Sequence, residues 1–310
     1  MKILITGATG FIGQHLLEEL SGDKFSIRII KRSSVGPLWI QNTNFETYVA
    51  DISDKSTLEP AFEDIDVVIN LAAEKNDPGK YGLTNIEGVH NIIELSAKYG
   101  IKKIIHLSSI SVFGVKYSRK KIIIDNNFSC KPKTGYGTTK LQSEKLLNEF
   151  GQKSNTEIII IRSSAVFGEH QPSNYLLDFF TKIKNRESIP RIKNTTVNYV
   201  YVKDIAHAIR FFLKTNAGNK TITVGESIPF NKFIFFVSEA LHVTFKIRRV
   251  PSLIFGLLEI VNYFGIQNLK EKFHSISNRV VYDDTYMRKS VTYKYGIKEG
   301  IERTIRHYKL

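Results

Sequence analysis

Thr6-Gly7-Ala8-Thr9-Gly10-Phe11-Ile12-Gly13 follows directly on the apolar run Lys2-Ile3-Leu4-Ile5 and opens a helical pattern. A strand, three glycines at tight spacing and a helix make a cradle for a dinucleotide pyrophosphate. Gly7 permits the sharp turn out of the strand, Gly10 lets backbone approach phosphate, and Gly13 lets helix and strand pack closely. The first helical turn then presents its unpaired N–H groups and positive dipole end to the anion. Thr9, Phe11 and Ile12 complete the loop. The spacing is G-x-x-G-x-x-G rather than G-x-G-x-x-G, which points to one branch of the dinucleotide-binding folds. The competing reading is a glycine turn that serves geometry alone.

The first half of the chain alternates short apolar strands with helical patterns. Strands are predicted at 2–6, 25–31, 45–49, 67–71, 103–108 and 157–162, and helices near 10–20, 56–62, 81–99 and 136–150. Runs such as Val67-Val68-Ile69 and Ile158-Ile159-Ile160-Ile161 imply strands buried on both faces of a parallel sheet. This alternation predicts an α/β, Rossmann-type doubly wound fold. Beyond Gly168 the rhythm changes to a helix at 174–185, a strand at 197–202, a helix at 204–213 and a strand at 221–224. The remainder reads as a smaller, interleaved C-terminal part. The expected division is 1–165 plus about 199–226 for the dinucleotide, and about 166–198 and 227–310 for a substrate.

The 310 residues are 42% hydrophobic, enough for a large core. No apolar run reaches the roughly 20 residues of a membrane span. Leu253 to Ile266 comes nearest, but Glu259, Asn262 and two glycines interrupt it, so it reads as an amphipathic core or lid helix. The N-terminal apolar run is broken by glycines too early for a signal peptide. One cysteine, Cys130, excludes an intrachain disulfide and fits a reducing, cytoplasmic compartment. The eight histidines are scattered without metal-ligand spacing. The net charge of +14 is spread along the chain, with short clusters such as Lys102-Lys103. Without a nucleic-acid motif it reads as solvated faces that also steer anions, and nucleic acid is not an expected partner.

Tyr136 and Lys140, in Tyr136-Gly137-Thr138-Thr139-Lys140, share one face of a predicted helix. A phenol of pKa about 10 is a poor acid or base at neutral pH. An adjacent ammonium, an oxidised nicotinamide and a helix N-terminus favour the phenolate, so its pKa is expected to fall. Tyr136 then exchanges a proton with a substrate oxygen as hydride moves. Upstream, Leu107-Ser108-Ser109-Ile110-Ser111-Val112-Phe113-Gly114 ends the fifth strand, at the sheet edge where ligands bind. A serine there can hydrogen-bond the reacting oxygen. Taken singly, each motif also fits an ordinary turn or surface helix.

Together they resemble the extended short-chain dehydrogenase/reductase family, the NAD-dependent epimerase/dehydratases. The matching pieces include Thr6–Gly13, Asp51-Ile52, Asn70-Leu71-Ala72-Ala73, Asn85–Gly88, Ser108–Gly114, Tyr136–Lys140, Arg162–Gly168 and Tyr201–Ala206, in family order. The resemblance implies catalytic roles for Ser109, Tyr136 as acid/base, and Lys140 holding the nicotinamide ribose. It places Asp51 and Ile52 beside the adenine, and Leu71, Ala72, Ala73 and Ser108 along the cofactor. Asn85 falls where the family often carries a helix asparagine, and a purely structural role is equally open. Family members are often dimers, so a homodimer is expected on the same ground.

The second strand ends Ile29-Ile30-Lys31-Arg32-Ser33-Ser34 without the acid that NAD-preferring sites use on the ribose. Arg32 and Ser33 suit a ribose phosphate, which favours NADP over NAD.

The leading expectation is reduction of a keto group on a nucleotide-linked sugar, with Ser111, Ser164, Ala165, Arg191 and Arg288 as substrate contacts. The alternatives are a 4-epimerase or dehydratase with tightly held NAD, an enzyme like 3β-hydroxysteroid dehydrogenase or dihydroflavonol reductase, and a non-catalytic dinucleotide-binding scaffold. Two departures weaken the epimerase alternative: Ala165 stands where epimerases of the family carry asparagine, and Val197 where they carry arginine.

Overall fold

A computed structural model describes residues 1–33, 45–115, 118, 120–187, 189–191, 194–244, 247–249 and 278–310. The apolar stretch 253–266 lies outside the described residues.

The central sheet has seven parallel strands: β1 (Lys2–Thr6), β2 (Ser26–Lys31), β3 (Glu46–Val49), β4 (Val67–Asn70), β5 (Lys103–Ser109), β7 (Glu157–Ser163) and β11 (Lys220–Val224). Their order is β11-β7-β5-β4-β1-β2-β3, a doubly wound Rossmann arrangement. The order reverses beside β1, so the crevice at its C-terminal end opens over the glycine turn. Alternate residues of each strand serve opposite faces. Ile3 and Ile5 pack beneath α1 (Phe11–Leu20) and α6 (Val202–Lys214), with Ile205, Ile209 and Phe212. Leu4 points the other way, with Val68, Ile104, Ile158 and Ile160, toward α3 (Gly88–Tyr99) and α4 (Gly135–Lys153). Each such fully buried side chain contributes about 1.5–3 kcal/mol, which is why the β-branched runs had to be covered on both sides.

Local signals set the helix ends. Asp54 caps α2 (Lys55–Leu58) by accepting from the backbone N–H groups of Ser56 and Thr57. Gly100 ends α3 in the left-handed region. The single helix expected at 81–99 begins as a wide, π-type turn at Gly82–Glu87 before α3 proper.

The second layer is built from the three-stranded sheet β12-β10-β8 and its helices. Its strands are β8 (Ala165–Phe167), β10 (Thr196–Tyr201) and β12 (Glu226–Pro229). Thus β10 leaves the central sheet, pairing parallel with β8 and antiparallel with β12. Helices α5 (Tyr175–Lys184), α7 (Phe230–Ala240) and α8 (Gly296–Tyr308) cover it through Phe180, Phe233 and Ile301. Asp204, in the first turn of α6, accepts from the N–H groups of Tyr295 and Gly296 at 3.0 and 2.9 Å and so anchors the start of α8. Short parallel pairs β14–β6 (Val280–Tyr282 with Ile122–Ile124) and β13–β9 (Ile247–Arg249 with Ile189–Arg191) complete the described strands.

Candidate active site

The cradle is built by contact as well as by sequence. Gly7 has φ +68°, and a Cβ there would lie 2.7 Å from the Ala72 backbone nitrogen. A side chain on Gly13 would meet the Gly7 carbonyl oxygen at 2.4 Å. The turn therefore sits directly on the exit of β4 and on the first turn of α1. Gly10 is exposed and precedes α1, no side chain caps that helix, and its first turn carries no acid. Backbone donors and the positive end of the helix dipole are thus left for an anionic ligand, and the site fits a dinucleotide pyrophosphate. Thr9 is half-buried, and half-buried Phe11 and Ile12 pack toward the second layer.

Around this turn, Arg32 and Ser33 are exposed at the end of β2. The Asp51 carboxylate accepts from the Ser53 N–H at 2.9 Å and its hydroxyl at 2.7 Å. Ile52 is buried against Gly88, where an added Cβ would come within 2.7 Å of it. Leu71 and Ala72 are half-buried and Ala73 exposed just beyond β4.

The other half of the site forms where α4 meets the end of β5. Thr134 caps α4 by accepting from the Gly137 N–H at 3.0 Å. A Cβ on Gly137 would lie only 2.7 Å from the Ser111 carbonyl oxygen. The helix start carrying Tyr136 and Lys140 is therefore pressed onto the 110–113 turn that follows Ser109. The two serines ending β5 are used differently. Ser108 donates to Glu144 at 2.5 Å, and Ser109 accepts from the Ser111 N–H at 3.2 Å. The buried Ser111 hydroxyl has no partner among the described residues.

Tyr136 packs edge-on against Tyr81, ring centres 6.2 Å apart. The expected fall of its pKa is reversed by the chain's own groups: burial, with a small push from Tyr81, raises it to about 12. Burial likewise lowers Lys140 to about 8, against a smaller upward pull from Glu144. A phenol so placed becomes a competent base only with added positive charge nearby, the property an oxidised nicotinamide brings.

Sequence reasoning missed the partner of Lys140. Its amine lies 2.9 Å from His106 Nε2, and both residues are essentially fully buried. On the far side, His106 Nδ1 is 3.0 Å from Asn70 Nδ2, and Asn70 Oδ1 accepts from the Thr6 hydroxyl at 2.6 Å. A buried histidine two residues before the paired serines was the available signal. Asn85 is spent on structure. Its amide donates to the Glu74 carbonyl and the Thr139 hydroxyl and accepts from the Glu74 N–H, clamping that loop to α4.

Of the remaining expected contacts, Ser164 is buried with a hydroxyl that lacks a partner among the described residues, and Ala165 is exposed at the start of β8. Arg191 lies on β9, and its side chain is outside the described set. Arg288 pairs with Asp284 at 2.8 Å and Glu226 at 3.6 Å. Among the described residues no cluster could hold a metal ion. An open groove of about 460 Å³, which His15, Glu18, Glu169, His170, Lys203 and His307 help to line, does not include Tyr136 or Lys140.

A Rossmann sheet, a glycine cradle at its switch point and a Tyr/Lys helix pressed on a serine strand end define a dinucleotide-dependent enzyme of the extended short-chain dehydrogenase/reductase type. The chain belongs to the NAD-dependent epimerase/dehydratase family, whose model matches residues 3–225. It is 32% identical to a putative UDP-glucose 4-epimerase of Methanocaldococcus jannaschii, over 72% of this chain and 76% of that one. It is 26% identical to the N-acetyl-α-D-glucosaminyl-diphospho-ditrans,octacis-undecaprenol 4-epimerase of Escherichia coli O157:H7, over 99% of this chain and 95% of that one. Among solved structures, the UDP-glucose 4-epimerase of Thermotoga maritima with UDP-glucose superposes with a TM-score of 0.77 at 22% identity, covering 100% and 99% of the two chains. That of Thermus thermophilus in complex with NAD gives 0.74 at 20% identity, with 100% and 99% coverage.

Proposed function

We propose that this enzyme is a 4-epimerase of a pyranose carried on a diphosphate. Tyr136 is its acid/base, Ser109 its hydrogen-bonding partner for the reacting oxygen, and Lys140 the cation that holds the nicotinamide ribose. The observation that supports this most is the close seating of Gly137 on the Ser111 carbonyl, which brings the Tyr/Lys helix to the serine strand end. The glycine cradle, with Gly7, Gly10 and Gly13, holds the dinucleotide pyrophosphate, and the exit of β4 lines its length. Held there by the cradle and Lys140, the nicotinamide would supply reversible hydride acceptance for the carbon being inverted.

Tyr136 takes the proton of the ring hydroxyl at its Oη as that carbon is oxidised, then gives it back when the carbon is reduced from the opposite face. Ser109 holds the oxygen in place through both stages. The region 1–165 plus about 199–226 serves the dinucleotide, and about 166–198 and 227–310 the sugar and its diphosphate.

A diphosphate-linked sugar is the chemistry shared by the two curated relatives, one named for UDP-glucose and the other for a polyprenol-linked N-acetylglucosamine. Ala165 and Val197, departures from the nucleotide-sugar pattern, favour testing the lipid-linked form as carefully as the nucleotide form.

A second reading, net reduction of a keto sugar with NADPH, is favoured by one observation. The end of β2 carries exposed Arg32 and Ser33 and no acid.

The test is incubation of purified protein with NAD and, separately, UDP-glucose, UDP-N-acetylglucosamine and N-acetylglucosaminyl-diphospho-polyprenol, followed by NMR of the sugar. The expected result is a C4 epimer with no net change in nicotinamide absorbance. Stoichiometric consumption of NADPH by a keto sugar, without epimer, would replace epimerisation by reduction.

A further inference from the structure

Lys140, His106, Asn70 and Thr6 form a buried hydrogen-bonded chain linking α4, β5, β4 and the last residue of β1 before the glycine turn. Its four side chains are each at most 1% exposed, so no bulk water competes for their donors and acceptors. The polarity of such a chain is set from one end. The Thr6 hydroxyl donates to Asn70 Oδ1, which leaves Asn70 Nδ2 to donate to His106 Nδ1. The neutral imidazole then carries its proton on Nε2, facing the lysine. An N–H pointed at Lys140 is matched by an amine lone pair and opposed by an ammonium.

We propose that His106 is a positioning residue for Lys140, and that its tautomer, relayed through Asn70 and Thr6, switches in step with the proton state of the lysine. Loading one proton onto the pair passes the Nε2 proton to the lysine amine, and the incoming proton ends on Nδ1. The Asn70 amide must then turn to accept from Nδ1–H, and the Thr6 hydroxyl turns with it. Lys140 is thus held by a partner that is donor to its amine and acceptor from its ammonium, without the imidazole ever becoming charged.

The surroundings suit this role. Burial and the neighbouring lysine hold His106 well below the usual histidine range. Among the described residues the ionisable groups around the pair are few. Tyr136 and Glu144 lie on the lysine's own helix, Tyr81 packs on Tyr136, and Arg162 on β7 is paired to Glu144. In register beside His106, β4 supplies Asn70 and β7 the apolar Ile160.

This inference rests on Lys140 being the site lysine, and its test needs no substrate. Protein labelled with 15N-histidine is titrated from about pH 6 to 10 while long-range 1H–15N correlations follow the His106 ring nitrogens. The expected result is a ring that stays neutral throughout. Its proton sits on Nε2 at high pH and moves to Nδ1 as the pH falls through about 8, where Lys140 titrates. In Lys140→Met the exchange disappears. In Asn70→Asp, whose carboxylate can only accept, Nδ1 stays protonated at every pH. A wild-type ring with one fixed tautomer across the range, or one that becomes an imidazolium within it, overturns the proposal. Turnover is a separate readout. With any active sugar, the alkaline limb of kcat in Asn70→Asp moves up by about one pH unit, a tenfold difference beyond the wild-type limb. An unmoved limb would deny His106 its influence on the reaction. Because the titration is read without substrate, failure of the epimerase reading leaves it intact.

Discussion

Glu144 grips Arg162 through both carboxylate oxygens, at 2.6 to 3.2 Å, one helical turn beyond Lys140. The pair is buried, Phe113 lies beneath the guanidinium at 4.9 Å, and Ser108 supplies a further donor to the carboxylate. It ties α4 to β5 and β7 at the level where Tyr136 and Lys140 leave the helix. Breaking one half of such a pair strands the other charge without solvent. Glu144→Ala is expected to cost about 3–5 kcal/mol, read as a lower denaturation midpoint. Glu144→Ala combined with Arg162→Met should recover much of that loss. A loss in the double variant equal to the sum of the losses in Glu144→Ala and Arg162→Met would show that the pair does not couple.

Tyr136→Phe removes only the phenolic oxygen, leaving the ring on Tyr81. Dinucleotide affinity, followed by NADH fluorescence, should be unchanged while kcat falls about 10²–10⁴-fold. The wild-type rate should rise with pH along its acid limb, since burial holds the phenol up to about 12 and deprotonation creates the base. Loss of NADH binding in the variant would contradict the separation of roles.

Lys140 is held against its own charge. Lowering it from 10.5 to about 8 corresponds to about 3 kcal/mol disfavouring the ammonium in the fold. The unfolded chain binds that proton more tightly. The cost is therefore full below about pH 8 and vanishes as the pH rises through the ordinary lysine value. Lys140→Met should then stabilise the protein at pH 7 by about 2 kcal/mol, after loss of the His106 hydrogen bond, while abolishing turnover. Melting curves at pH 7 and 10.5 check it, and an equal gain at both would refute the electrostatic origin.

Arg32→Asp replaces an exposed cation at the end of β2 by an anion that repels a ribose phosphate and can bond ribose hydroxyls. The ratio of NADP to NAD affinity should fall by at least tenfold. Unchanged relative affinities would remove Arg32 from cofactor choice.

Much of the nucleotide half was legible because its signals are local. Strand β1 was predicted at the residues observed, and β5 to within one, because continuous β-branched runs have few other uses. Helix α7 escaped notice for a physical reason. Phe230, Phe233, Ile234 and Val237 keep helical spacing, but exposed Phe235 on the opposite side blurs the polar face. The departure of β10 from the central sheet was equally hidden, since strand residues do not reveal which neighbour they pair with.

By itself the sequence determined the glycine turn, the doubly wound alternation, and the order in which the serine and Tyr/Lys segments come along the chain. Spacing within a single turn or helix suffices for each of these. Tertiary structure alone decided that the amine of Lys140 rests on His106 and that burial, not the lysine, governs the Tyr136 phenol. Those properties arise between strands and helices far apart in the chain, where desolvation and hydrogen-bond polarity depend on what the fold brings together.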